Sequence, residues 1–178
     1  MEMININNTT SHEMQIVTSR IMEYLRMGER KIQPELIIVT GAIGSGKTTY
    51  IKKELINNYV WIDSGRYFID LVNHDHLESS RADMLVDLVG LFTLDLAIIE
   101  KRNIVIELIA ADRTDMLKLI DIFQGIGYKV KIVHIDSSAE ECYRNTLKKS
   151  ADNMSCFFCQ DIIFRWLRVV LQGTCIRE

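Results

Sequence analysis

The chain has 178 residues, 48% of them apolar, with 21 basic and 24 acidic side chains and a formal net charge of −3. That length suits one well-buried core and is short for two, and the slight acidic excess argues against a protein whose main task is to coat nucleic acid or an anionic membrane. The longest stretch without a charge, residues 36–46, has 11 residues, well short of the roughly 18 needed to span a bilayer.

At the amino end Ile alternates with Asn, with neither a basic start nor an apolar run, so the sequence predicts a cytoplasmic protein. Its cysteines, Cys142, Cys156, Cys159 and Cys175, are then expected as thiols. Thr10 with Glu13 reads as a capping box opening a helix whose Met14, Val17, Ile21, Met22 and Leu25 share one side, ending near Gly28. Pro34 breaks the chain, and Leu36, Ile37, Ile38 and Val39 follow as a strand apolar on both faces, the pattern of a parallel sheet covered by helices. Further apolar runs at 59–62, 104–106 and 130–135 alternate with helical patterns at 48–57, 81–100, 112–123 and 139–149. This is the βαβ signature. It predicts a three-layer α/β fold, a parallel sheet of four or five strands with helices on both faces. A last helix is expected over 160–172, with Phe164, Trp166, Leu167 and Val170 facing a core. The expected organisation is one domain over 1–178, made of an amino-terminal helical extension (1–34), a core (35–150) and a carboxy-terminal helix (151–178).

Immediately after the first buried strand stands Gly41-Ala42-Ile43-Gly44-Ser45-Gly46-Lys47-Thr48, which meets the spacing of a phosphate-binding loop at every defined position. Successive backbone N–H groups must turn inward around a β-phosphate, through angles that side chains obstruct, hence the glycines at 41, 44 and 46. Lys47 adds a point charge against the β- and γ-phosphates, the Thr48 hydroxyl can ligate Mg²⁺, and the following helix, with Thr49 in its first turn, contributes its partial positive end. A nucleoside triphosphate with Mg²⁺ is therefore the expected ligand.

A GTPase should carry an Asn/Thr-Lys-x-Asp element, and none occurs. A motor or AAA-type ATPase would be longer and would end its third strand in Asp or Asp-Glu, whereas this one ends Ile104-Val105-Ile106-Glu107. The size fits the nucleotide and metabolite kinases. Asp63, at the end of a strand beside the loop, can accept a hydroxyl proton or hold a water of the Mg²⁺ shell; the plainer alternative is a helix N-cap. Glu107 can orient an acceptor or metal waters, or only pair with an arginine to fix a loop. Arg66 reads as a contact for an acidic substrate or as a solvated side chain, and His74-Asp75-His76 and Cys156-x-x-Cys159 are weak metal patterns. Arg144 and Lys148 share a helix face beside Lys149; this group either clamps a γ-phosphate or complements the helix dipole.

The order Gly46-Lys47-Thr48, Ile62-Asp63, Val105-Ile106-Glu107, Gly127-Tyr128-Lys129-Val130 resembles the zeta-toxin-like P-loop kinases over about residues 35–150. The resemblance implies transfer of the ATP γ-phosphoryl to a hydroxyl, on a UDP-linked amino sugar in characterised members. It also implies a P-loop kinase fold with strand order 2-3-1-4 and a basic lid after the fourth strand, where Lys149 is in register with the family and Arg144 offers its fork geometry. The family's Asp-x-Asp is here Asp63-Ser64-Gly65, and its Glu-Gly-Thr is Glu107-Leu108-Ile109. Three readings follow: a kinase acting on a small-molecule or nucleotide-sugar hydroxyl, a non-catalytic ATP-binding regulatory protein, and a toxin component held by an antitoxin-like partner. No membrane or nucleic-acid partner is expected.

Overall fold

The computed structural model describes residues 9–108 and 113–150. Within them, strands β1 (Glu35–Thr40), β2 (Val60–Ile62), β3 (Ile104–Leu108) and β4 (Lys129–His134) form one parallel sheet in the order β2-β3-β1-β4. This is the expected order, with four strands among the described residues.

Alternation along the strands divides the apolar side chains between two faces. Leu36 and Ile38 of β1 join Val60, Ile62, Ile104 and Ile106 in the larger core. That core is covered by helices α1 (Ser11–Met27), α3 (Ser64–Asn73), α4 (Ser79–Ile99) and α5 (Arg113–Gly125). Ile37 and Val39 turn the other way and meet Trp61, Val105, Ile51 and Leu55. The last two lie on the helix that follows the phosphate loop, so helices cover both faces as expected.

The ends of the helices are set by local chemistry. Thr10 and Glu13 form the capping box, with Thr10 N donating to Glu13 Oε2 at 2.7 Å and Glu13 N to Thr10 Oγ1 at 3.2 Å. The same carboxylate is gripped by Arg81 of α4 through two bonds of 2.7 Å, which ties α1 to α4. Helix α5 is closed by Gly127 at φ +90°, where Tyr128 N reaches Phe123 O and Gly127 N reaches Gln124 O. This is a Schellman closure, and its accompanying apolar contact is the edge-on packing of Phe123 and Tyr128 at 5.2 Å.

Two expectations need correction. The helix predicted over 48–57 is shorter: α2 covers Lys47–Tyr50 and continues as one wide π-helical turn over Ile51–Leu55. Helix α3 was not anticipated, although Tyr67, Phe68, Leu71 and Val72 recur at helical spacing and all belong to the core or pack on it. The helix expected over 160–172, and Cys156, Cys159 and Cys175, lie outside the described residues.

Candidate active site

The phosphate loop sits at the carboxyl end of β1. There the chain first crosses to β2 on one side and later places β4 on the other, so the crevice opens where the connections diverge. Gly46 caps α2 at φ +98°, a left-handed conformation that a side chain would strain. Ala42, Ile43 and Thr49 are exposed, while Gly41, Gly44, Ser45 and Lys47 are buried.

The Lys47 ammonium, only 3% exposed, donates to Gly41 O at 3.0 Å and to Ala42 O at 2.8 Å. Its loop therefore holds the cation curled against its own carbonyls. Glu107 joins the two functional positions of the motif: Oε1 lies 3.8 Å from Lys47 Nζ, and Oε2 accepts from Thr48 Oγ1 at 3.0 Å. The register explains this contact, because Glu107 pairs with Val39 in the β1–β3 ladder, one residue before Thr40 and the loop.

Asp63 follows Ile62, whose partner is Ile106, so it stands at the same level as Glu107 on the neighbouring strand. Its Oδ1 accepts from Gly65 N at 3.0 Å and Arg66 N at 3.2 Å, making it the N-cap of α3. Gly65, at the place of the family's second Asp, is buried in the first turn of that helix.

Arg66 packs against aromatic side chains. Its guanidinium lies 4.9 Å from the Tyr24 ring centroid and 5.6 Å from that of Trp61, with Met27 Sδ within 3.7 Å and Asp70 Oδ2 at 3.7 Å. Tyr24 donates to Asp70 at 2.6 Å, and burial with this carboxylate pushes the phenol pKa up. His74 pairs with Asp70 and Asp75 with Arg20. Among the described residues no group of three or more His, Cys, Asp or Glu side chains converges on a metal position.

Helix α6 (Ala139–Ser150) follows β4 and begins with a second capping box, in which Glu141 N donates to Ser138 Oγ and Ser138 N to Glu141 Oε2. Arg144 stands on its exposed side, bonded to Glu140 at 3.2 Å, away from the loop contacts. The Lys149 side chain is outside the described residues. The part of α6 that does meet the loop was not singled out from sequence. Asn145 Nδ2 donates to Gly44 O at 2.9 Å, and a side chain at Gly44 would run into the Cys142 carbonyl and the Thr146 hydroxyl. The available signal was the Ser138-x-x-Glu141 box, which sets the helix register and puts 142, 145 and 146 on one face.

A phosphate loop before α2, a strand-end carboxylate bonded to its threonine and, among the described residues, a four-stranded parallel sheet define an α/β P-loop kinase-like fold. The chain belongs to the AAA_33 family, described as an AAA domain, which it matches over residues 36–168. No curated protein sequence matches the chain.

Among solved structures, one from the PezAT chromosomal toxin-antitoxin system of Streptococcus pneumoniae is similar at 22% identity and a TM-score of 0.58, covering 84% of this chain and 65% of that one. A chain of the AvrRxo1-ORF1:AvrRxo1-ORF2 complex determined with ATP is similar at 15% identity and a TM-score of 0.59, covering 82% and 52%. One from the Pnkp1/Rnl/Hen1 RNA repair complex reaches 16% identity and a TM-score of 0.51, covering 82% and 47%. At these identities the likeness is one of fold. The chain spans 65% of the pneumococcal chain and about half of the other two. Among the described residues no helix is long and apolar enough to cross a membrane.

Proposed function

We propose that the chain is a phosphotransferase that binds ATP with Mg²⁺ and moves the γ-phosphoryl to a hydroxyl of a small molecule or nucleotide sugar. The observation that carries this reading is the junction of Lys47, Thr48 and Glu107 at the mouth of the phosphate loop. The loop's backbone N–H groups and Lys47 would bind the β- and γ-phosphates, exchanging the Gly41 and Ala42 carbonyls for phosphate oxygens. The acceptor oxygen forms the new bond to phosphorus as the bond to ADP breaks, and the hydroxyl proton passes to a carboxylate at the sheet edge.

Asp63 and Glu107 end adjacent strands at one level and are the carboxylates placed for that task. The donor set fits Mg²⁺, a hard ion that prefers oxygen: a hydroxyl and a carboxylate already lie 3.0 Å apart, with a second carboxylate beside them. Thr48, Glu107 and Asp63 would hold it through oxygen or bound water. When bound, the ion supplies charge neutralisation for the phosphates. Arg144 and Lys149 remain proposed as cations that reach the γ-phosphate when α6 and nucleotide come together.

A second reading is favoured by the fold likeness to a toxin–antitoxin chain: the same site would act as a toxin, held by a protein partner until released. Calorimetry with ATP, with and without Mg²⁺, and a phosphorylation screen of a metabolite library test the main reading. The wild type is expected to bind and to label at least one acceptor, and Lys47→Ala to lose affinity by about 100-fold or more, since the charge-assisted contacts to two phosphates go. Binding without any labelled product would leave a regulatory ATP binder. Growth arrest on expression, abolished by Lys47→Ala, would support the toxin reading.

A further inference from the structure

We propose that Asn145 is a positioning residue for the phosphate loop: its amide pins the Gly44 carbonyl and so aims the N–H groups that follow, coupling helix α6 to nucleotide affinity. The proposal rests on the phosphate-loop reading above and adds a residue that touches no phosphate in it. Three observations carry it. The first is the 2.9 Å bond from Asn145 Nδ2 to Gly44 O, between residues 101 positions apart. The second is the absence of room for any side chain at Gly44, which sits at φ +79° with its Cα turned to the Cys142 carbonyl and Thr146. Helix α6 thus rests on bare loop backbone. The third is that the start of the loop is framed by the same segment of chain. Ile135 N donates to Thr40 O at 2.8 Å, and a side chain at Gly41 would lie 2.5 Å from Ile135 O.

The peptide joining Gly44 to Ser45 is planar, and in its trans form the carbonyl and the N–H point in opposite directions. Fixing the Gly44 carbonyl on α6 therefore fixes the Ser45 N–H on the far side, where it donates to Ala42 O at 3.2 Å. It also removes the rotation about Gly44 that a glycine would otherwise permit. The helix that supplies the amide is held in register by its capping box and by the Thr146 hydroxyl bonded to Cys142 O at 2.8 Å. Its opposite side carries Arg144. A movement of α6 that carried Arg144 toward a phosphate would pull on the loop through Asn145.

Hydrogen exchange on the ligand-free protein tests this, comparing the wild type with Asn145→Ala and with Asn145→Leu, which keeps the volume and loses the donor. The amides of residues 42–48 should exchange about fivefold faster in both variants, the effect of one ordinary hydrogen bond, while exchange in the strands and the thermal midpoint stay close to the wild type. Affinity for ATP and for ADP should fall by the same factor, because both carry the β-phosphate that the loop surrounds. Unchanged loop exchange, or acceleration spread equally through the sheet, would overturn the proposal, as would affinities equal to the wild type. Exchange decides the role of Asn145 even if the wild type binds no nucleotide, an outcome that would overturn the reading of the loop instead.

Discussion

The two ends of the sheet carry the same kinds of charge and treat them in opposite ways. At the amino end, Glu35 faces Lys131 at 2.8 Å and Lys129 at 3.9 Å, and the two lysine side chains are 46% and 59% exposed. Glu29, Lys31, Arg30, Glu100 and Arg102 make further pairs around it. At the carboxyl end, Lys47 is 3% exposed, and its partners include two backbone carbonyls at 3.0 and 2.8 Å and Glu107 at 3.8 Å. Water screens the first group, so each pair there is worth little. The second group lies where effective dielectric is low and charge is expensive to hold without close partners. A cation kept in such a place by its own loop supports the proposal that phosphate oxygens replace those carbonyls when nucleotide binds.

The sharpest way to break this comparison is to remove one carboxylate from each end. Glu107→Gln keeps the shape and an oxygen for Thr48, and Lys47 keeps its two carbonyl acceptors. Turnover of ATP with an acceptor is expected to fall by roughly 100-fold or more, with nucleotide affinity lowered far less. The thermal midpoint should fall, since the buried Lys47 loses the negative charge 3.8 Å away. A variant with full turnover would remove Glu107 from the proposed machinery.

Between the extremes lies Glu13, a buried carboxylate gripped by the half-buried Arg81. The Arg81 hydrogen bonds, and after them the Thr10 backbone N–H, hold its pKa down at about 2 against an ordinary 4.5. A depressed folded-state value means that the contribution is complete above about 4.5 and is lost as pH falls toward 2. Thermal midpoints taken between those limits should therefore fall with acid more steeply in the wild type than in Glu13→Gln. At neutral pH the variant should melt a few degrees lower, as α1 loses its tie to α4. Equal slopes for the two proteins would count against the pairing.

What was legible in the sequence follows the kind of physics involved. The phosphate loop declared itself because its chemistry demands particular residue types at fixed spacing. The parallel α/β class followed from apolar runs alternating with helical patterns, and the strand order from the resemblance to P-loop kinases. Glu107 could be read as a strand-end carboxylate, but its contacts with Lys47 and Thr48 depend on the β1–β3 register, which no local pattern encodes. Asp63 carried two readings that the sequence could not separate, and the structure shows the cap formed. Helix α3 left its signal in the Asp63 cap alternative and in the spacing of Tyr67, Phe68, Leu71 and Val72. Asn145 was invisible because an amide bonded to a distant backbone carbonyl leaves no motif.

The smallest expected effect completes the comparison at the amino end. Glu35→Gln removes the charge that Lys131 and Lys129 face, while the Tyr59 hydroxyl, now 2.9 Å from Glu35 Oε2, can still donate to the amide oxygen. The lysines hold the Glu35 carboxyl below its usual range, so what the pair contributes is present at neutral pH and fades in acid. Both cations reach water, and the loss should stay under about 1 kcal/mol, no more than a few degrees in thermal midpoint for a chain of this size. Raising the salt from 0.1 M to about 1 M shortens the screening distance from roughly 10 to 3 Å, so the gap between variant and wild type should shrink. ATP affinity and turnover should not move, because the site is at the other end of the strands. A salt-independent loss of several kcal/mol, or any loss of turnover, would show that the two ends are not as different as their burial makes them.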